Sequence, residues 1–187
     1  MKKYEFTGET KQVGFLGNIT LKRIRATMEF GIVKIGDLGG WIEKEENLSR
    51  EGNAWVYGNA EVCGNAKVCG NAKVYGNAEV CGNAEVYGNA EVWGNAEVRG
   101  NAKVCGNAEV FSISHVLVIG PIGSRNDFTT FFRDKDSEIT VKCGCFLGKI
   151  DKFLEKVCET HGDSKYAIVY RTAAEIAKQQ IDLSEEN

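Results

Sequence analysis

Gly52-Asn53-Ala54-Trp55-Val56-Tyr57 opens a six-residue repeat, Gly-Asn-Ala-x-Val-x, that runs ten times without a break to Gly106-Asn107-Ala108-Glu109-Val110-Phe111. A fixed short period means stacked equal units in place of an ordinary globular core. Val56, Val62, Val68 and their successors read as inward aliphatic residues, and Ala54, Ala60, Ala66 as small residues for the crowded corners. The Gly-Asn pair supplies the turn, because Gly adopts positive φ freely and Asn tolerates it better than most residues. One hexad cannot bury its own Val and Ala, so the units must stack.

Six is the period of a left-handed parallel β-helix, in which three hexads make one triangular coil. Residues eighteen apart then lie above one another, and the residue after each Val points outward, because strand neighbours face opposite sides. Reading that position in steps of eighteen gives Tyr57, Tyr75, Trp93 and Phe111 on one side, Cys63, Cys81 and Arg99 on the second, and Cys69, Tyr87 and Cys105 on the third. The sorting of aromatics onto one side supports the three-hexad coil. The other outward position gives Glu61, Glu79 and Glu97 on one side, and Lys67, Glu85 and Lys103 on another, where alternating signs pair weakly across coils. A stripe of four aromatics calls for cover. Three kinds of cover are open: a terminal segment folded over it, a subunit interface including Tyr57, Tyr75, Trp93, Phe111 and Tyr87, or a stacked ligand. The open ends of the coil stack also need caps.

The chain has 187 residues and a net charge of −3, with no basic run that would argue for nucleic acid. No apolar stretch is long enough to span a bilayer, and Met1-Lys2-Lys3 leads directly into a polar strand, so the expected location is a bacterial cytoplasm. Seven cysteines are then free thiols. Cys63 and Cys81 read as small apolar surface filler, reaching disulfide distance only through strand slippage.

Residues 1–51 read as an N-terminal β cap, with strands over 4–13 and 19–30 and with Trp41 and Ile42 plugging the first coil. Residues 52–111 are the β-helix. Residues 112–187 read as a small α/β module of order βββαα: strands at 113–119, 128–133 and 138–146, a helix at 150–161, and a second helix to about 181. The whole chain is therefore expected to be mainly β.

The run Asp37-Leu38-Gly39-Gly40-Trp41-Ile42-Glu43, followed by Asn47-Leu48-Ser49 and the Gly-Asn-Ala repeats, resembles a group of phage, prophage and enterobacterial hexapeptide-repeat proteins over roughly residues 18–111. Some members are labelled transferases from the repeat alone. Gly-Pro-Ile-Gly-Ser-Arg (120–125), Cys-Gly-Cys-Phe (143–146) and Thr-His-Gly-Asp (160–163) look like parts of a C-terminal module appended to phage repeat proteins. The resemblance implies a left-handed β-helix, commonly a homotrimer, of phage or prophage origin.

Three functions compete. The first is a non-enzymatic trimeric rod that presents the C-terminal module to a host or phage protein. The second is a sponge that sequesters an anionic nucleotide signal in clefts between subunits. Its binding residues would be Gly120, Gly123, Ser124, Arg125, Asn126 and Thr129, a Gly-containing turn that offers N–H groups and a guanidinium to an anion. The ordinary alternative for that turn pairs Arg125 with Asp127 or Asp134. The third is a hexapeptide-repeat acyltransferase, which needs a His general base. No His lies between residues 1 and 114, and no loop interrupts the hexads, so this reading ranks last. No catalytic residue, cofactor or metal is expected. Two His are too few for a three-His zinc site, and Cys143, Cys145 and Cys158 read as continuations of apolar core faces.

Overall fold

The computed structural model describes residues 2–184; Met1 of the expected cap and residues 185–187 of the expected C-terminal module lie outside the described residues. Its centre is a left-handed parallel β-solenoid of triangular section. Each hexad contributes one two-residue strand, from β4 (Trp55–Val56), β5 (Glu61–Val62), β6 (Lys67–Val68) and β7 (Lys73–Val74) through β8 (Glu79–Val80), β9 (Glu85–Val86) and β10 (Glu91–Val92) to β11 (Glu97–Val98), β12 (Lys103–Val104) and β13 (Glu109–Val110). Before them lie β1 (Tyr4–Val13), β2 (Ile19–Ala26) and β3 (Leu38–Ile42). The sheets run β4-β7-β10-β13, β6-β9-β12 and β1-β2-β3-β5-β8-β11, with Val62 over Val80 over Val98 in strict register. All repeat Val and Ala side chains are fully buried. Each turn glycine from Gly52 to Gly106 has φ between +56° and +73°, the left-handed region that the Gly-Asn reading requires.

Two ladders outside the core reinforce the stack. At the corners, Asn53, Asn71, Asn89 and Asn107 pass a side-chain amide hydrogen bond from rung to rung at 3.1–3.3 Å, and the two other corners repeat this. The column Glu61, Glu79, Glu97 gathers three like charges. Lys11 neutralises its first member at 2.6 Å, and Arg99 bridges Glu79 at 2.8 Å and Glu97 at 3.0 Å. In the alternating column, Lys103 and Glu85 stand 3.9 Å apart.

The N-terminal segment extends the solenoid by imitation. Ile42 pairs in register with Val62 and Leu48 bridges Val68, so both occupy Val positions of a preceding coil. Ile42 is buried as expected, but Trp41 is not a plug. It matches Glu61 in register and therefore points outward, with Lys11 Nζ 4.6 Å and Arg23 5.6 Å from its ring. The buried indole is Trp55. It holds an outward position yet is fully covered by Tyr4 and Phe30 of the cap. The second strand ends at Ala26, four residues before its expected end, where the chain turns back toward β3.

Beyond the last hexad, residues 113–115 form a 3-10 turn where a strand was expected, because the Ser112 side chain accepts from Ser114 N. The sheet that follows has four strands: β14 (Val116–Ile122), β15 (Asp127–Arg133), β16 (Ile139–Cys143) and β17 (Phe146–Lys149). The expected third strand is broken by a turn at Gly144 (φ +55°). Helices α1 (Ile150–His161) and α2 (Lys165–Gln180) pack on one face. Strand β15 is buried on both faces. Phe132 joins the solenoid core and closes its end, while Phe131 joins the core under the helices. Lys103 N donates to Thr130 Oγ1 at 3.0 Å and Lys135 N to Asn107 O at 3.0 Å, which seat the sheet on the last coil. No helix among the described residues is long and apolar enough to cross a membrane.

Candidate functional site

The turn between β14 and β15, residues 123–126, is shaped by positive φ at Gly123 (+72°) and Asn126 (+50°). Gly123 leaves room for the Tyr170 phenol of α2, which any Cβ there would strike. The neighbouring turn at Gly144 serves Arg125 in the same way: its guanidinium lies over the glycine and donates to Cys145 Sγ at 3.6 Å. Between these turns and the two helices lies a cleft of about 270 Å³. Phe146 and Phe153 wall it, with ring centroids 5.6 Å apart. His161 closes one end, its ring 5.7 Å from Tyr170 at an interplanar angle of 30°.

Polar groups converge on the two sulfurs. Cys143 Sγ accepts from Thr129 Oγ1 at 3.3 Å and from the Tyr170 hydroxyl. The Tyr170 oxygen accepts in turn from the Ser124 side chain and N–H. Burial pushes the Tyr170 phenol up, the Cys143 charge and its hydrogen bond add to this, and Ser124 opposes it. Cys145 stands exposed at the mouth, and the Arg125 hydrogen bond and charge hold its thiol below the usual range. The cleft thus offers an apolar slot for a short chain, a guanidinium and the Lys156 ammonium for an anionic group, and an imidazole that can take a proton. Among the described residues, no three His, Cys, Asp or Glu side chains are grouped to hold a metal ion.

Of the residues singled out in the turn, Ser124 and Arg125 line this cleft and Gly123 backs it. Thr129 is buried beneath it and acts through Cys143. Gly120 faces Phe128, and Asn126 is exposed; neither lines the cleft. Arg125 takes neither expected partner. Asp127 Oδ1 accepts from Phe128 N at 2.7 Å, and Asp134 is held by Lys149 at 2.7 Å and by Thr140. Two cysteines assigned to core faces are exposed instead. The turn at Gly144 swings Cys145 off the sheet, and Cys158 faces away from the buried Phe153–Val157 side of α1. Sequence reasoning did not bring His161 and Tyr170 to this site. The Cys-Gly-Cys string, read as a hairpin turn, was the signal that would have turned the sheet back toward them.

The aromatic column is continuous. Tyr57, Tyr75, Trp93 and Phe111 follow one another at 6.1, 6.1 and 4.7 Å between ring centroids. Only its end is covered: Phe111 is buried beneath the His115 ring at 4.2 Å and the Arg133 guanidinium at 4.7 Å. Tyr57, Tyr75 and Trp93 stay half-buried, so no terminal segment among the described residues covers the whole stripe. Tyr87, on another side, donates to Cys105.

No family model matches the chain. A stretch of 62 aligned positions is 37% identical to "Uncharacterized acetyltransferase YdcK" of Escherichia coli (strain K12), spanning 30% of this chain and 19% of that protein. The chain thus matches less than a fifth of that relative's length. This similarity overturns the ranking of functions drawn from the sequence: it speaks against a non-enzymatic rod and for the acyl-transfer alternative placed last. The low rank rested on the lack of a His before residue 115 and of a loop interrupting the hexads; His115 and His161 both lie beyond the coils.

Proposed function

We propose that the protein transfers an acyl group from a thioester donor to an amine or hydroxyl, with its reacting groups in the C-terminal cleft. The observation that carries this reading is the convergence of His161, Arg125, Lys156 and the Phe146–Phe153 slot in one cavity. The likeness of the chain to a protein named as an acetyltransferase supports it. Arg125 and Lys156 bind the anionic carrier of the donor. At about 270 Å³ the slot takes the acyl-thioester end and leaves the rest of the carrier outside. The acceptor nitrogen or oxygen attacks the thioester carbonyl and gives its proton to the His161 imidazole. The carbon–sulfur bond breaks, and the leaving sulfur takes that proton from His161, so the carrier departs as the thiol. The half-buried ladder of Tyr57, Tyr75 and Trp93 is the face we assign to self-association as a homotrimer. A single-chain mass in native mass spectrometry overturns that assignment.

The deciding experiment incubates the intact protein with acetyl-coenzyme A and a panel of amine and hydroxyl acceptors, and follows free coenzyme A by chromatography. Acceptor-dependent release that falls at least tenfold in His161→Ala, with unchanged helical circular dichroism, is the expected result. Release no faster than in buffer, across the panel, overturns the proposal.

A further inference from the structure

Four cysteines occupy the position after the repeat Val, and only two of them are neighbours along the axis. On the third side Tyr87 separates Cys69 from Cys105 by two coils. On the second side, Cys63 stands directly on Cys81, because Val62 pairs in register with Val80 and Cys63 N donates to Val80 O at 3.0 Å. Adjacent strands lie about 4.8 Å apart. A disulfide takes Cα separations of roughly 4.4–6.8 Å. No strand slippage is needed, contrary to the sequence expectation, which overlooked that one coil spacing already falls inside that window. Both side chains are half-buried free thiols, and the Cys63 thiol donates to the Cys81 sulfur.

From this geometry we infer that Cys63 and Cys81 form a reversible dithiol–disulfide site on the outer wall of the solenoid, taking hydroperoxides as oxidant. The two sulfurs divide the work. The hydrogen bond with Cys63 lowers the Cys81 thiol, burial opposes it, Arg99 on the next coil adds to the lowering, and Glu79 and Glu97, which pair with Arg99, oppose it. The Cys63 thiol, which keeps its proton in that bond and sits beside Glu43 and Glu61, is pushed up. Arg99 stands on Cys81 in the same column, as Cys81 stands on Cys63, so the thiol next to the guanidinium, Cys81, is assigned as the nucleophile and Cys63 as the resolving thiol.

The Cys81 thiolate attacks one oxygen of the hydroperoxide. The O–O bond breaks, the alkoxide leaves and is protonated to the alcohol, and Cys81 becomes a sulfenic acid. Cys63 sulfur then attacks the Cys81 sulfur, the S–O bond breaks, and hydroxide leaves with the Cys63 proton as water. Two thiols and one hydroperoxide thus give one disulfide, one alcohol and one water. A thiol reductant restores the pair by exchange. The bridge staples two consecutive coils and leaves the C-terminal cleft untouched.

The test treats the full chain with hydrogen peroxide, blocks the remaining thiols by alkylation, and maps tryptic peptides. Trypsin cuts at Lys67 and Lys73, between the two cysteines. A Cys63–Cys81 cross-linked peptide pair that disappears with dithiothreitol is expected. Cys81→Ser should leave Cys63 alkylated, and Arg99→Ala should slow cross-linking several-fold. Recovery of Cys63 and Cys81 as separately alkylated peptides after treatment that oxidises Cys145 overturns the inference. So does an unchanged rate of Cys63 loss in Cys81→Ser.

Discussion

In the solenoid, every layer repeats one solution: Val80 lies between Val62 and Val98, Asn83 between Asn65 and Asn101, and a positive-φ glycine makes each turn between. In the C-terminal module each contact occurs once. Phe131, Phe153 and Tyr170 meet edge-on at 6.1 and 5.6 Å. The regular region distributes its stability over equivalent layers. The irregular region concentrates stability in a few large side chains and leaves between them the cleft walled by Phe146 and Phe153. Strand β15 joins the two, giving Phe132 to one core and Phe131 to the other.

The largest expected effects test that division. Phe132→Ala removes a fully buried ring that closes the solenoid and should cost about 3–5 kcal/mol. Phe131→Ala should cost as much but act on the module. All three tryptophans lie before residue 112 and both helices after it, so indole fluorescence reads the solenoid and helical circular dichroism reads the module. Phe132→Ala should lower both denaturation midpoints, and Phe131→Ala chiefly the helical one. Equal shifts of both signals in both variants would show one cooperative unit across β15.

Within the solenoid, two glycines with nearly the same backbone separate strain from space. Gly76 has φ +73°, and a Cβ there would lie 2.9 Å from Gly94 N; Gly100 has φ +66° and open space around it. Gly100→Ala should cost about 1 kcal/mol from the left-handed backbone alone. Gly76→Ala adds a clash with backbone one coil away, for about 2–3 kcal/mol in total. Equal urea midpoints for the two variants would show that the coils move apart without penalty.

Legibility in the sequence followed the same division. Period six and the eighteen-residue columns located the strands, the buried Val and Ala, and the aromatic stripe, because every layer states the rule again. Where the rule is stated once, the reading failed in identifiable ways. Trp41 was taken as a plug because it is apolar, although its register with Glu61 points it outward. The 138–146 strand was drawn through Gly144, and that one positive-φ residue decides where Cys145 stands. Ser124 and Arg125 were legible as neighbours in one turn. The cleft was not, because His161 and Tyr170 reach it only through the packing of two helices on the sheet.

The N-terminal cap offers a smaller, pH-dependent effect. Lys3 is only 2% exposed, its Nζ donates to Ala54 O at 2.6 Å and lies 4.5 Å from the centre of the Phe30 ring. Burial lowers its pKa from 10.5 to about 8. Between about pH 8 and 10.5 the unfolded chain therefore holds a proton that the folded chain has lost, and stability rises with pH across that window. The neutral amine can still donate to Ala54 O, so the cap keeps this hydrogen bond after the proton is lost. The melting temperature of the wild type relative to Lys3→Met should rise from pH 8 to 10. A flat difference would mean that Lys3 stays charged in the cap.

The smallest expected effect bears on whether the solenoid's exposed corners contribute through repetition. Asn83 accepts from Asn65 and donates to Asn101, both at 3.1 Å, so Asn83→Ala removes two amide hydrogen bonds and leaves an unpaired group on each side. Asn53 ends its ladder and shares one such bond, with Asn71. These amides are exposed, and water takes over much of what is lost, so each bond should count for about 0.5 kcal/mol. Asn83→Ala should then destabilise by about 1 kcal/mol and Asn53→Ala by about half of that, read from urea midpoints at constant slope. Equal losses would assign the role of Asn to the turn backbone it follows in each hexad, because that role is the same at every rung. A twofold ratio would assign it to the ladder, where an interior rung has two neighbours and an end rung one.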